Sequence, residues 1–152
     1  MRTSEVSREV GAPAETVWQV MTDLENSPHV ISAIERVERL DGNEGFGVGT
    51  RWRETRTMFG KQATEEMEVT AVTPGRSYTV EAESRGARYV STLGVEPLAT
   101  DRSQVSMAFG AEPQGVLAKV FSATVGRLFD GATRKALESD LDDIASAAER
   151  RS

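Results

Sequence analysis

The chain has 152 residues, 38% hydrophobic and 28% charged, the composition of a folded globular protein and not of a disordered or membrane-embedded one. Acidic residues outnumber basic ones by 24 to 18, a net charge of −6, and phosphate binding depends on clustered Lys and Arg. Nucleic acid and anionic membrane surfaces are therefore not the expected partners. The absence of cysteine and the single histidine exclude disulfides, thiolate chemistry and zinc fingers.

Neither an EF-hand loop nor an HExxH pattern occurs, so no metal and no cofactor is implied. No segment approaches the roughly 18 apolar residues of a membrane span. The N-terminal residues lack the apolar core of a signal peptide, so a cytoplasmic location is expected. The length suits one domain, residues 1–152.

Ser4–Val10 alternates weakly and reads as a strand. Pro13 suits the first position of a helix, where its missing N–H is not needed. Ala14, Val17, Trp18, Met21 and Leu24 then recur at helical spacing. Asp23–Pro28 reads as a turn, His29–Ile34 as a short second helix and Ile34–Leu40 as a strand. Asp41–Gly49 is dense in turn residues, with Phe46 at the tip placed to cap a cavity. Its glycines superficially suggest a phosphate loop, but a strand follows instead of the required helix.

Thr50–Met58 alternates, with Trp52, Glu54, Arg56 and Met58 on one face and Arg51, Arg53, Thr55 and Thr57 on the other. Period-2 patterning turns the Trp52 set inward and the second set to water. After a turn at Phe59–Lys61, Glu65–Val72 is a strand with Met67, Val69 and Ala71 inside. Beyond Thr73–Arg76 come inward sets Tyr78, Val80, Ala82 and Ser84, then Tyr89, Ser91, Leu93 and Val95. Pro97–Arg102 reads as a loop, and Val105, Met107, Phe109 and Ala111 form the last inward set. Strands at this spacing make an antiparallel meander.

Pro113–Arg151 is helical and carries two apolar stripes. Leu117, Val120, Phe121, Val125, Leu128, Phe129 and Ala132 form one. Leu137, Leu141, Ile144 and Ala148 form another, rotated by more than a quarter turn. Either the helix bends near Gly126 or Gly131, or its halves pack on different surfaces. Glu149–Arg151 reads as a charged tail. The order is strand, two helices, six strands and a long helix, whose stripe is expected to fill the dry concave face of a curved sheet.

Several pieces of the chain are similar in order and spacing to the START/Bet v 1-like (SRPBCC) superfamily, and within it to the polyketide cyclase/dehydrase-like family. They are Ala12–Trp18, Thr22–Asn26, Gly47–Arg53, Val72–Arg76 and Ala136–Leu141. The resemblance implies an α+β helix-grip fold: a curved seven-stranded antiparallel sheet wraps a long C-terminal helix, with two short helices after the first strand. It also implies an internal pocket for lipids, sterols or polyketides. Relatives of this kind include aromatic cyclases and lipid carriers, so the fold leaves the activity open.

Glu54 and Arg56 are the sharpest candidates for chemistry, because buried charge is costly unless paired. In a cavity Arg56 orients a carbonyl or enolate and Glu54 acts as a base. The alternatives are a salt bridge at the pocket mouth, or a register slip that leaves both in solvent. Tyr78 and Tyr89 offer an apolar ring with one polar tip, to a ligand or to the core, and Ser91 adds a hydroxyl. His29 is a proton-transfer candidate or a solvent-facing residue of a lid. The expected walls are Trp52, Tyr78, Tyr89, Leu93, Met107, Phe109, Phe121, Val125 and Phe129, with Met67 beside them and Arg56 for orientation.

Three functions fit these features. The first is binding or transport of a small hydrophobic ligand. The second is a polyketide cyclase or dehydratase, and the third is a non-catalytic interaction domain with a filled core. The expected partner is a small apolar molecule, with monomer and homodimer both open.

Overall fold

The computed structural model describes the backbone of residues 2–42, 45–58, 60–84, 86–113 and 116–152. It describes the side chains of residues 3–42, 45–57, 60–83, 86–112 and 131–152. The elements in chain order are β1 (Arg2–Val10), α1 (Ala14–Thr22), a 3-10 turn (Leu24–Asn26), α2 (Ser27–Val30), β2 (Ile34–Arg39), β3 (Arg51–Met58), β4 (Lys61–Thr73), β5 (Ser77–Ser84), β6 (Ala87–Ala99), β7 (Arg102–Pro113) and α3 (Val116–Arg151).

All seven strands form one antiparallel sheet in the order β1-β7-β6-β5-β4-β3-β2. The first strand therefore closes against the last, and β1 and β2 are the edges. The sheet curves, and α3 packs against its concave side in a helix-grip fold. Bulges in β2, β4 and β6 help to bend the strands.

Pro13 is extended (φ −61°, ψ 149°) and caps α1 from just outside, one position earlier than predicted. The α1 stripe buries Val17, Val20 and Met21, continued by Leu24. Val20 was not part of the predicted set, and Trp18 is only half-buried. The second helix is Ser27–Val30, not His29–Ile34, because Ile34 already pairs with Arg56 in the sheet.

The bulge in β4 overturns one inward assignment. Val69 pairs with Val80, but after the extra residue Ala71 pairs with Thr79 and Val72 with Tyr78. Ala71 is thereby turned to solvent and Val72 takes its place inside. Thr55 is also a correction: it lies on the outer face yet is buried, its hydroxyl 3.0 Å from that of Thr64 on β4. The expected loop over Pro97–Arg102 is a tight hairpin, since β6 continues to Ala99 and β7 starts at Arg102.

In α3, Leu137, Leu141, Ile144 and Ala148 are buried as predicted, joined by Ala145 and Ala147. The first stripe, Leu117 to Phe129, lies outside the described side chains. The supposed charged tail is docked helix. Glu149 accepts a hydrogen bond from the Gly11 backbone N–H at 2.8 Å, and Arg151 lies 3.8 Å from Asp23. A Cβ at position 11 would sit 3.3 Å from that carboxylate, so glycine permits the approach.

Burial along the concave face is uneven. Toward α1 and the C-terminal half of α3, Val10, Val95, Val105, Leu93 and Met107 are buried. Toward the β5–β6 turn, Tyr89, Ser91, Phe109 and Ala111 are only half-buried, as is Met67 on β4. Among the described residues, no helix is long and apolar enough to cross a membrane.

Candidate functional site

The alternation of β3 places Trp52, Glu54 and Arg56 on the concave face, and the observed register excludes a slip. Trp52 faces Met67 across the β3–β4 ladder, Glu54 faces Glu65 and Arg56 faces Ala63. Trp52 and Glu54 are buried, and the side chain of Arg56 is 20% exposed.

These side chains are linked into one hydrogen-bonded chain. The Trp52 indole N–H donates to Glu54 Oε1 at 3.2 Å. Arg56 Nε donates to Glu54 Oε2 at 3.2 Å, and Arg56 Nη1 donates to both oxygens of Asp140 at 3.2 and 2.9 Å. One guanidinium therefore serves two carboxylates, one from the sheet and one from α3. Among the described residues, no acceptor meets its Nη2. Arg56 is thus neutralised from two sides, and a bound carbonyl would meet a single remaining N–H edge.

Asp140 escaped the sequence reading. The clue was a carboxylate set inside the apolar stripe formed by Leu137, Leu141 and Ile144. Its side chain is 6% exposed. Burial raises its proton affinity, Arg56 pulls it back down, and Glu54 and Asp143 add to the rise. Burial works against the charge on Arg56, but Asp140 and Glu54 more than offset it, so its pKa goes up.

Tyr78 stands behind this chain on β5. Its hydroxyl donates to the Met21 carbonyl at 3.1 Å, which ties the sheet to α1. Its ring packs edge-on against Trp18 at 6.1 Å and Phe46 at 4.7 Å. Burial, followed by the fields of Glu54 and Asp140, pushes its pKa up, so it stays a neutral donor. Phe46 is half-buried against the core. Its loop is tied to β4 by Gly49 N–H donating to Val69 O at 2.9 Å, with Gly49 at φ +95°.

Tyr89 and Phe109 stack at 5.7 Å with 19° between their planes. Both are half-buried on the concave face, with Ser91 beside them, whereas Leu93 and Met107 are buried deeper. The predicted wall residues Phe121, Val125 and Phe129 lie outside the described side chains. His29 is exposed on α2, with no hydrogen-bond or ion-pair partner among the described residues.

Two openings border α3. One, of about 360 Å³, is lined by Ala33, Thr57, Ala132, Lys135, Ala136, Ser139 and Asp140. The other, of about 580 Å³, lies between β1 and α3, with charged walls that include the Arg8–Asp142 pair at 2.7 Å. Among the described residues, no group of three His, Cys, Asp or Glu is arranged to hold a metal ion.

The fold recurs widely in solved structures. A protein from Thermus thermophilus superposes with a TM-score of 0.80 at 19% identity, over 99% of both chains. An aromatase/cyclase from Streptomyces sp. R1128 gives 0.80 at 19% identity, over 99% of this chain and 94% of its own. A START superfamily protein from Mycobacterium smegmatis gives 0.69 at 17% identity, over 98% and 95%. At such identities the likeness establishes the START/Bet v 1-like fold and not the activity. No curated protein matches the chain by sequence. The profile of the family described as polyketide cyclase / dehydrase and lipid transport does match, over residues 1–149, and this chain belongs to that family.

Proposed function

We propose that the protein binds or carries a small, largely apolar molecule between the concave face of its sheet and α3. In this reading, residues 1–152 form one ligand-binding unit working in the cytoplasm, with no nucleic-acid partner. The observation that carries the proposal is the partly covered apolar stretch of the concave face. Met67, Tyr89 and Phe109 are half-buried in a face whose other half is dry core. Each 100 Å² of ligand surface laid against them contributes about 2.5 kcal/mol before the costs of ordering. Trp52, Glu54, Arg56 and Asp140 form the polar end of the site, while Leu93, Met107 and Tyr78 form its floor.

A test is to fill the space. Ser91 is small, half-buried and flanked in register by Val80 and Phe109. With Ser91→Phe, the affinity for a neutral apolar fluorophore should fall at least about tenfold, while the melting temperature holds. If the face is in truth closely packed, the same change overpacks it, destabilising the fold by about 1–3 kcal/mol. That outcome would refute the reading.

A second reading, a cyclase or dehydratase, draws on Asp140. Its raised proton affinity beside Arg56 makes it able to hold and release a proton. The aromatase/cyclase likeness adds the reaction class. Asp140→Asn should then abolish turnover of a poly-β-ketone substrate while leaving its binding measurable.

A further inference from the structure

The opening beside α3 has features that the binding proposal does not use. Its α3 wall is one helical face, Ala132, Lys135, Ala136 and Ser139, and Ala33 and Thr57 stand opposite. Three of these are alanines, so the middle of the slot presents methyl groups, with Lys135 at the rim. Its inner end is Asp140, which is bonded to Arg56 on the concave face. The slot and the proposed ligand site thus lie on two sides of a single ion pair.

The slot is held open by contacts at both ends. Outside, the Ser32 N–H and hydroxyl both donate to Asp143 Oδ2 at 2.9 Å, fixing the chain before Ala33 to α3. The Thr57 N–H donates to the Ala33 carbonyl at 3.0 Å, so the facing wall is part of the sheet edge. Inside, Arg56 spans to Asp140. Between these clamps the side chains are short, and about 360 Å³ remains, at the lower end of the range for small-ligand sites.

We propose that this slot is the door through which the apolar ligand enters and leaves, with the Arg56–Asp140 pair as its inner latch. The inference rests on the ligand-binding function above. The latch has a built-in pivot: Arg56 Nε stays on Glu54 while Nη1 swings off Asp140. Ala132 and Ala136, one turn apart, set the width of the door and so the girth of what passes.

Stopped-flow fluorescence with N-phenyl-1-naphthylamine tests this. A door changes the barrier and not the end states, so Ala136→Phe should slow association and dissociation by the same factor of about ten, a barrier about 1.4 kcal/mol higher. The Kd should be unchanged. Ala136→Gln, a milder plug on a half-exposed helical position, should act in the same direction if the Phe variant does not fold. Asp140→Asn, which weakens the latch, should speed association, a rate that the loss of a contact to the bound ligand would not raise. Unchanged rates in the plugged variants would overturn the door while leaving the binding function standing. In the plugged variants, a weakened Kd with faster dissociation would overturn it too, by making the slot part of the bound state. If the unmodified protein takes up no probe at all, the binding function falls and the door with it.

Discussion

Arg56→Ala is the most informative substitution in this molecule. It removes the one cation shared by Glu54 and Asp140, both more than nine-tenths buried. Breaking such a pair from one side leaves charge stranded in the interior, at a cost of about 3–5 kcal/mol. That is a large part of the roughly 5–15 kcal/mol that holds a domain together. Urea unfolding at neutral pH should therefore show an unfolding free energy lower by this amount, read as a lower midpoint at unchanged slope. Replacing Glu54, Arg56 and Asp140 together by Leu, Met and Leu should recover most of it, because an apolar set of similar volume needs no desolvation of charge.

The pH dependence of this variant has a definite sign. Asp140 has a folded pKa above its ordinary 3.8. The stability it contributes is fully present below 3.8 and is lost as pH rises through the raised value. Without Arg56 the folded value climbs further, and ionised Asp140 weighs more heavily against the fold. The gap between the unmodified protein and Arg56→Ala should be widest near neutral pH and narrow as pH falls toward 3.8. A loss below about 1 kcal/mol, or a gap that widens in acid, would refute the picture of a desolvated pair.

Other outcomes follow from the packing. Leu141→Ala, at a position 1% exposed where α3 meets the sheet, should cost about 2–5 kcal/mol in chemical denaturation. Tyr78→Phe keeps the ring and strands the Met21 carbonyl, so a loss of about 1 kcal/mol is expected. Ser103→Ala should cost a similar amount, since Ser103 is fully buried and its hydroxyl donates to the Ala12 carbonyl at 2.9 Å. Both are measurable as shifts in melting temperature.

Much of the fold was legible because local pattern and tertiary environment agree. Among the described side chains, the alternation of β3 and β5–β7 marked the inward residues, with Met58 and Ser84 outside that set, and the Leu137–Ala148 stripe marked the buried face of α3. The misses have local causes. The β4 bulge exchanged Ala71 for Val72, since one extra residue reverses every later side chain. Ile34 was claimed by two elements, and pairing with Arg56 gave it to the strand. Three of the four members of the polar cluster were readable on one strand, as Trp52, Glu54 and Arg56. The fourth, Asp140, required knowing which turn of α3 meets Arg56, and a sequence pattern does not carry that placement.

The central claim is that the half-covered stretch of the concave face receives an apolar guest. Photolabelling with a diazirine-bearing long-chain alcohol, followed by peptide mapping, tests this most directly. Labels should fall on Met67, Tyr89, Ser91 and Phe109 and disappear when an unlabelled apolar competitor is added. Labels confined to the exposed side chains Val48 and Leu98, and indifferent to competitor, would contradict it.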